Sequence, residues 1–180
     1  MNKNIVIVQN ANESRKVSVR EFIENELYGV LDLLIKDGKH VYFAFEVIAT
    51  GIEFLGECLD PYKFEDSHHS KARFINAINT FSSLNKYAKF NLYDKLRCGM
   101  CHVLLPKLGL KLARGCSESS QNSDTLYIGS FYYDFRNACS ELLAQNSTLW
   151  GNGKSPNQPC WEVSTGNHNS TPTTASSIHK

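Results

Sequence analysis

No stretch of this chain is apolar for long enough to span a bilayer. The apolar start, Ile5 to Val8, is too short for a signal-peptide core, and no small-residue cleavage site follows it. Excess charge is missing too. Lys and Arg number 19 and Asp and Glu 18, a net charge of +1, so the total charge points to no partner class. Regular cysteine spacing is likewise absent. Cys58, Cys98, Cys101, Cys116, Cys139 and Cys160 follow no disulfide-scaffold pattern, and with no export signal we expect reduced thiols and a cytoplasmic protein.

What is present is the composition of an ordinary globular domain, 42% hydrophobic and 21% charged over 180 residues, enough for one domain and a tail. The charges are segregated. Lys71, Arg73, Lys86, Lys89, Lys95, Arg97, Lys107, Lys111 and Arg114 face a single acid, Asp94, whereas the region from Glu13 to Asp66 leans acidic. A basic segment centred on Arg97 would steer a polyanion toward it; a solvated cationic helix surface is the alternative.

Hydrophobic periodicity predicts an all-α fold of four to five helices. Ser18-Val19-Arg20-Glu21 is a capping-box pattern followed by Ile23, Leu27, Val30, Leu31 and Leu34 at helical spacing, with Gly38 as the stop. A second, central helix runs from about His40 to Leu59, carries Phe43, Phe45, Val47, Ile48, Ile52, Phe54 and Leu55, and ends at Asp60-Pro61. Ser70 is expected to cap a third helix with Phe74, Ile75, Ile78 and Phe81, and Asn91 a fourth that Pro106 terminates. Alternation at Leu108, Leu110 and Leu112, and again at Leu126 and Ile128, reads as a β-hairpin at about 108–129 inserted before a fifth helix near 131–145. The expected organisation is thus a helical domain over 1–146. Residues 147–180, rich in Ser, Thr, Asn, Gly and Pro, read as a disordered tail in which Trp150 and Trp161 are the residues able to dock.

The chemistry concentrates in the fourth helix. Leu92, Tyr93, Leu96, Met100, Val103 and Leu104 fall on its core side. Arg97, Cys101, Asp94, Leu105, Cys98, His102 and Lys95 form a second, semi-apolar strip suited to a partner helix, such as the same helix of a second subunit. Helix geometry sets the Cα atoms of Arg97 and His102 roughly 8–9 Å apart. A permanently charged guanidinium and an imidazole that titrates near neutrality suit cleavage of a ribose-phosphate backbone, with His102 moving a proton and Arg97 stabilising charge on phosphorus. RNA supplies its own 2′-hydroxyl nucleophile, so no metal or cofactor is required.

The stretch Leu92 to Pro106, with Arg97-x-x-x-x-His102 near the end of a helix, resembles the motif of the HEPN superfamily. The resemblance spans the helical part, about Ser18 to Gln145, and is specific over the motif. It implies a small helical domain that dimerises through the motif helix and acts as a metal-independent endoribonuclease, in toxin–antitoxin or phage-defence settings, with Arg97 and His102 catalytic. An RNA substrate and an antitoxin partner are part of what it implies; other members are inactive binding modules. Cys98 stands where active members carry a polar residue after the arginine.

Other readings compete for the same residues. Cys98-Gly99-Met100-Cys101-His102 spells the C-x-x-C-H of haem attachment, but it lies inside a continuing helix of a chain with no export signal. No second ligand pair completes a zinc site with Cys116, and no strand precedes the motif as a thioredoxin-like C-x-x-C requires. The cysteines read best as small residues between helices. Lys95 and Lys107 are candidate phosphate contacts by position. Glu46, Thr50, Glu53 and Glu57 form a stripe on the second helix, read first as its solvated side and second as a means of orienting Arg97. His68 and His69 read as surface residues.

Overall fold

A computed structural model describes residues 14–64, 66–103, 105–107, 109–116, 124–145 and 147–164. Ile5 to Val8, Leu104, Leu108 and the tail beyond Ser164 lie outside the described residues, and of Cys101, Val103 and Trp161 only the backbone is described. The fold is mainly helical, with two small sheets.

Helix α1 (Val19–Glu21) begins at the expected capping box. The Ser18 hydroxyl accepts from the Glu21 N–H at 3.3 Å while the Glu21 carboxylate accepts from the Ser18 N–H at 3.0 Å. It widens into a π-helical stretch, Phe22–Leu27, and continues as α2 (Tyr28–Asp37). Gly38 closes α2 at φ 67°, a left-handed conformation that favours glycine. Helix α3 (Val41–Leu59) is central, burying Phe45, Ile48, Ile52 and Leu55 against α2, α4 and α7. After the 3-10 turn Ser67–His69 comes α4 (Ser70–Thr80); His69, rather than Ser70, precedes its first turn, and the Ser70 hydroxyl meets the Tyr93 hydroxyl at 3.0 Å. A short α5 (Ser82–Asn85) and a 3-10 turn, Ala88–Phe90, lead to a second π-helical stretch, Tyr93–Arg97, which runs into α6 (Cys98–Val103). Asn91 is left-handed at φ 51° and closes the 3-10 turn before this helix instead of capping it by its side chain. Helix α7 (Ile128–Leu143) buries Phe131, Phe135, Ala138 and Leu142.

Two larger expectations also fail. The segment read as a hairpin pairs β2 (Lys111–Ala113) with β3 (Thr125–Tyr127) in parallel, Leu112 opposite Leu126, so the connection crosses over instead of turning back. The alternating pattern located both strands but carries no information on their relative direction. The second failure is the tail, which is ordered through Ser164. Its β4 (Pro159–Ser164) pairs antiparallel with β1 (Ser14–Ser18), and the N–H groups of Val19 and Arg20 donate to the carbonyls of Gln158 and Pro156 at 3.0 and 2.9 Å. The tail thereby satisfies donors that the first turn of α1 leaves without intrahelical partners. Its polar composition hid this, because much of the docking rests on backbone hydrogen bonds and one lysine; Trp150, one of the two residues read as able to dock, does pack against the core beside Leu149.

That lysine belongs to a buried charge cluster. Arg73, on α4, is 2% exposed. Its Nε donates to Asp60 Oδ2 at 2.5 Å, one terminal nitrogen to Glu57 Oε1 at 2.6 Å and to the Asp66 carbonyl, and the other to the Lys63 carbonyl at 3.1 Å. Lys154 of the tail, its side chain 4% exposed, donates to Asp60 Oδ1 at 2.9 Å and to the Glu57 carbonyl. Two cations thus meet two acidic side chains, Asp60 and Glu57. Backbones come close around them: a Cβ on Gly56 would lie 2.0 Å from the Arg73 carbonyl oxygen, and one on Gly151 1.9 Å from that of Asp60.

Two outcomes follow. Gly56→Ala must push α3 and α4 apart and costs about 1–3 kcal/mol, read as a lowered Tm; an unchanged Tm contradicts the close crossing. Lys154→Met leaves Asp60 with Arg73 but without its second cation and costs about 1–3 kcal/mol, with faster proteolysis between Gly151 and Ser164. Wild-type Tm and proteolysis in that variant contradict the role given to Lys154.

Candidate functional site

The acidic stripe of α3 is not its solvated side. Glu53 is 14% exposed and its Oε2 accepts from Arg97 Nε at 2.6 Å. Glu57, one turn on, holds Arg73. Residues four apart on a helix share a face, and here that face meets two guanidiniums from later in the chain. Thr50 is exposed, so the solvated reading holds there alone. The charge spacing was visible in the sequence; what it could not give is that α4 and the Tyr93–Arg97 stretch bring arginines against it.

Arg97 ends the π-helical stretch, where the Cys98 N–H bonds the Tyr93 carbonyl five residues back. Such stretches insert an extra residue into the turn and recur at functional sites. Leu92, Leu96 and Met100 are buried, as the amphipathic pattern predicts. Arg97 stays 22% exposed at the edge of α3. His102 lies in the last turn of α6 and is exposed. About 140° of helix rotation separates the two positions. One side chain therefore leaves toward α3 and the other toward solvent, so the helix does not gather both into one cleft.

The structure does bring Lys95 and Lys107 together. After α6 the chain folds back over Gly99, where a Cβ would lie 2.5 Å from the Leu105 carbonyl oxygen, and the Lys107 N–H donates to the Lys95 carbonyl at 2.8 Å. Lys107 is exposed and Lys95 half-buried. On the other flank Lys71 Nζ lies 3.1 Å from Asp94 Oδ2. Hydrogen bonds from Lys71 and Asn91, with the charges of Lys71 and Lys107, hold the Asp94 carboxyl below the usual carboxylate range. Lys71, Lys95 and Lys107 thus surround the stretch that ends in Arg97.

Sequence reasoning passed over two features. Asp60 was visible only as a helix stop, whereas it is the carboxylate shared by Arg73 and Lys154. His69 stacks on Tyr62 with ring centroids 4.0 Å apart and planes 8° from parallel. The chain places these rings seven residues apart across a loop, and no periodic signal marks such a contact. Among the described residues no cluster of three or more His, Cys, Asp or Glu side chains is arranged to hold a metal ion, and no helix is long and apolar enough to cross a membrane.

The acidic stripe also sets a pH dependence. Burial pushes the Glu57 carboxyl up to about 7, the negative charges of Glu53 and Asp60 adding to the rise and Arg73 and Lys154 opposing it. The folded protein therefore keeps a proton that an unfolded chain releases near 4.5, and stability falls as pH rises between that value and about 7. Asp60 acts oppositely: despite its burial, hydrogen bonds from Lys154 and Arg73 lower its pKa below 3.8, so its contribution is lost only as the solution becomes strongly acidic. Thermal unfolding should show a Tm that declines from about pH 5 to about pH 7.5, and Glu57→Gln should flatten the decline. A wild-type profile flat across this window contradicts the placement of Glu57.

Comparison with known proteins places the chain in no group: no protein-family model matches it, and no curated protein or solved structure is significantly similar.

Proposed function

We propose that this chain is a metal-independent endoribonuclease of the HEPN type, working as a cytoplasmic homodimer in a toxin–antitoxin or phage-defence setting. The observation that carries the reading is the Glu53–Arg97 ion pair at 2.6 Å, on the same helix as the exposed His102 and amid Lys71, Lys95 and Lys107. Glu53 holds the Nε edge of Arg97 and fixes the guanidinium before substrate arrives, which is the preorganisation that charge stabilisation in a transition state requires. His102 takes the proton of a ribose 2′-hydroxyl. The freed oxygen attacks phosphorus to close a 2′,3′-cyclic phosphate, and the 5′-oxygen leaves and is protonated. Arg97 faces the charge that grows on the phosphoryl oxygens.

The divergent directions of Arg97 and His102 make a second copy part of the reading. With two motif helices side by side across a two-fold axis, Arg97 of one protomer faces His102 of the other. Leu105, 62% exposed at the end of this helix, is an apolar contact suited to that seam. Lys95 and Lys107 then line the approach of the phosphates.

A second reading, an inactive HEPN-like dimerisation or RNA- or protein-binding module, rests on two observations. Glu53 already offsets the Arg97 charge, and Cys98, half-buried, replaces the polar residue expected after the arginine. One experiment separates them. Single-stranded RNA incubated with the protein in chelator should yield 2′,3′-cyclic phosphate ends, and His102→Ala should lower the rate by about 100-fold or more. Equal products from wild type and His102→Ala, or none from either, overturn the nuclease reading. Binding that survives His102→Ala without cleavage supports the module.

A further inference from the structure

We propose that the stacked Tyr62–His69 pair is a platform for an unpaired base of single-stranded RNA, whose phosphates pass over Lys71 toward Lys95 and Lys107. This rests on the reading of Arg97 and His102 as an RNA-cleaving pair and assigns a second part of the substrate to a separate place on the surface.

The two rings form a preassembled flat surface. They lie 4.0 Å apart and 8° from parallel. Tyr62 has one face covered by His69 and is still 45% exposed, so its open area is the outer face and edge. The pair also adjoins the buried charge cluster around Arg73. The Tyr62 N–H donates to Asp60 Oδ1 at 3.0 Å, and Asp60 is held by Arg73 and Lys154. His69 Nε2 lies 3.7 Å from Asp66 Oδ2, a second Asp66 oxygen accepts from the His68 N–H at 3.1 Å, and the Asp66 carbonyl accepts from Arg73. The rings are thus stacked on each other before any ligand arrives, on backbone that is tied to Asp60 and Asp66, which lowers the ordering entropy lost when a base stacks on them.

The platform leads to the motif helix through consecutive residues. Ser70, next to His69, bonds the Tyr93 hydroxyl at 3.0 Å. Lys71 pairs with Asp94, and its Nζ lies 5.6 Å from the centre of the Tyr93 ring. Tyr93 opens the π-helical stretch that ends in Arg97, and the Lys95 carbonyl in that stretch bonds the Lys107 N–H. A flat aromatic plane followed by a line of cations is the arrangement that binds single-stranded nucleic acid, the bases stacking and the phosphates tracking the positive charge. A duplex hides its base faces, so this platform selects unpaired RNA.

The test uses the full chain and a fluorescein-labelled 2′-O-methyl oligouridylate of about twelve nucleotides, which lacks the attacking hydroxyl and stays intact. Anisotropy titrations compare it with the same backbone stripped of its bases. The expected result is weaker binding of the base-free strand and a loss of about tenfold or more in Tyr62→Ala and Tyr62→Leu, restored in Tyr62→Phe. Tight binding that is indifferent to the bases and to all three variants, at unchanged Tm, overturns the platform and leaves the nuclease reading standing. Absence of binding by the wild-type protein at low salt overturns both. Should a Tyr62 variant fail to fold, the base-free strand on wild-type protein still decides, equal affinity counting against the platform.

Discussion

The Arg73 guanidinium, taken out of water and held by Asp60, Glu57 and the carbonyls of Lys63 and Asp66, is the interaction around which the rest of the molecule is arranged. An unpaired guanidinium at that depth would cost several kcal/mol, so every group that meets it is constrained in turn. It fixes α4 on α3 at Gly56, binds the carbonyls of Lys63 and Asp66 in the loop after α3, and leaves Asp60 with one oxygen for Lys154. The tail is then tethered from the inside, and its strand β4 completes the entry to α1. The apolar core supplies the bulk of the driving force, but it specifies contact less narrowly than charge does. The cluster selects which face of α3 receives the basic segment.

The same face carries Glu53, and so the same device recurs one turn earlier. Four residues before Glu57, Glu53 meets the next arginine to arrive, Arg97. Arg73 is enclosed, on a helix that packs extensively against α3 next to Gly56, whereas Arg97, on the short π-helical stretch before α6, is left partly exposed at the edge. A buried guanidinium with four acceptors is a clasp. Arg97, 22% exposed with the Glu53 carboxylate on its Nε, is a charge held in place at the rim.

Local signals in the sequence were reliable wherever one physical rule operates alone. Ser18 with Glu21, Gly38, and the buried series Leu92, Leu96 and Met100 were legible because capping, left-handed closure and helical periodicity act over a few residues. Directions and partners were not. Alternation placed Leu112 and Leu126 in strands without saying that they run parallel. The polar composition after Gln145 concealed a segment held by Lys154 and by backbone donors of α1, which do not register in hydrophobicity; its few apolar anchors, Leu149 and Trp150 among them, are too sparse to form a periodic pattern. The glutamate stripe on α3 looked solvated because its partners, Arg73 and Arg97, stand 16 and 44 residues away. Arg97 and His102 were legible as residues, and their angular separation follows from their spacing; that Arg97 meets Glu53 while His102 faces solvent depends on where α3 lies.

The claim that most else rests on is that carboxylates of α3 immobilise two arginines, one inside and one at the rim. The most direct measurement is proton exchange at the arginine Nε–H groups, followed by NMR on protein labelled with nitrogen-15 near neutral pH. The account predicts slowly exchanging signals from Arg73 and Arg97, with the Arg97 signal alone passing into fast exchange in Glu53→Gln. An Arg97 Nε–H that already exchanges in the wild type as fast as that of the exposed Arg114 would contradict it.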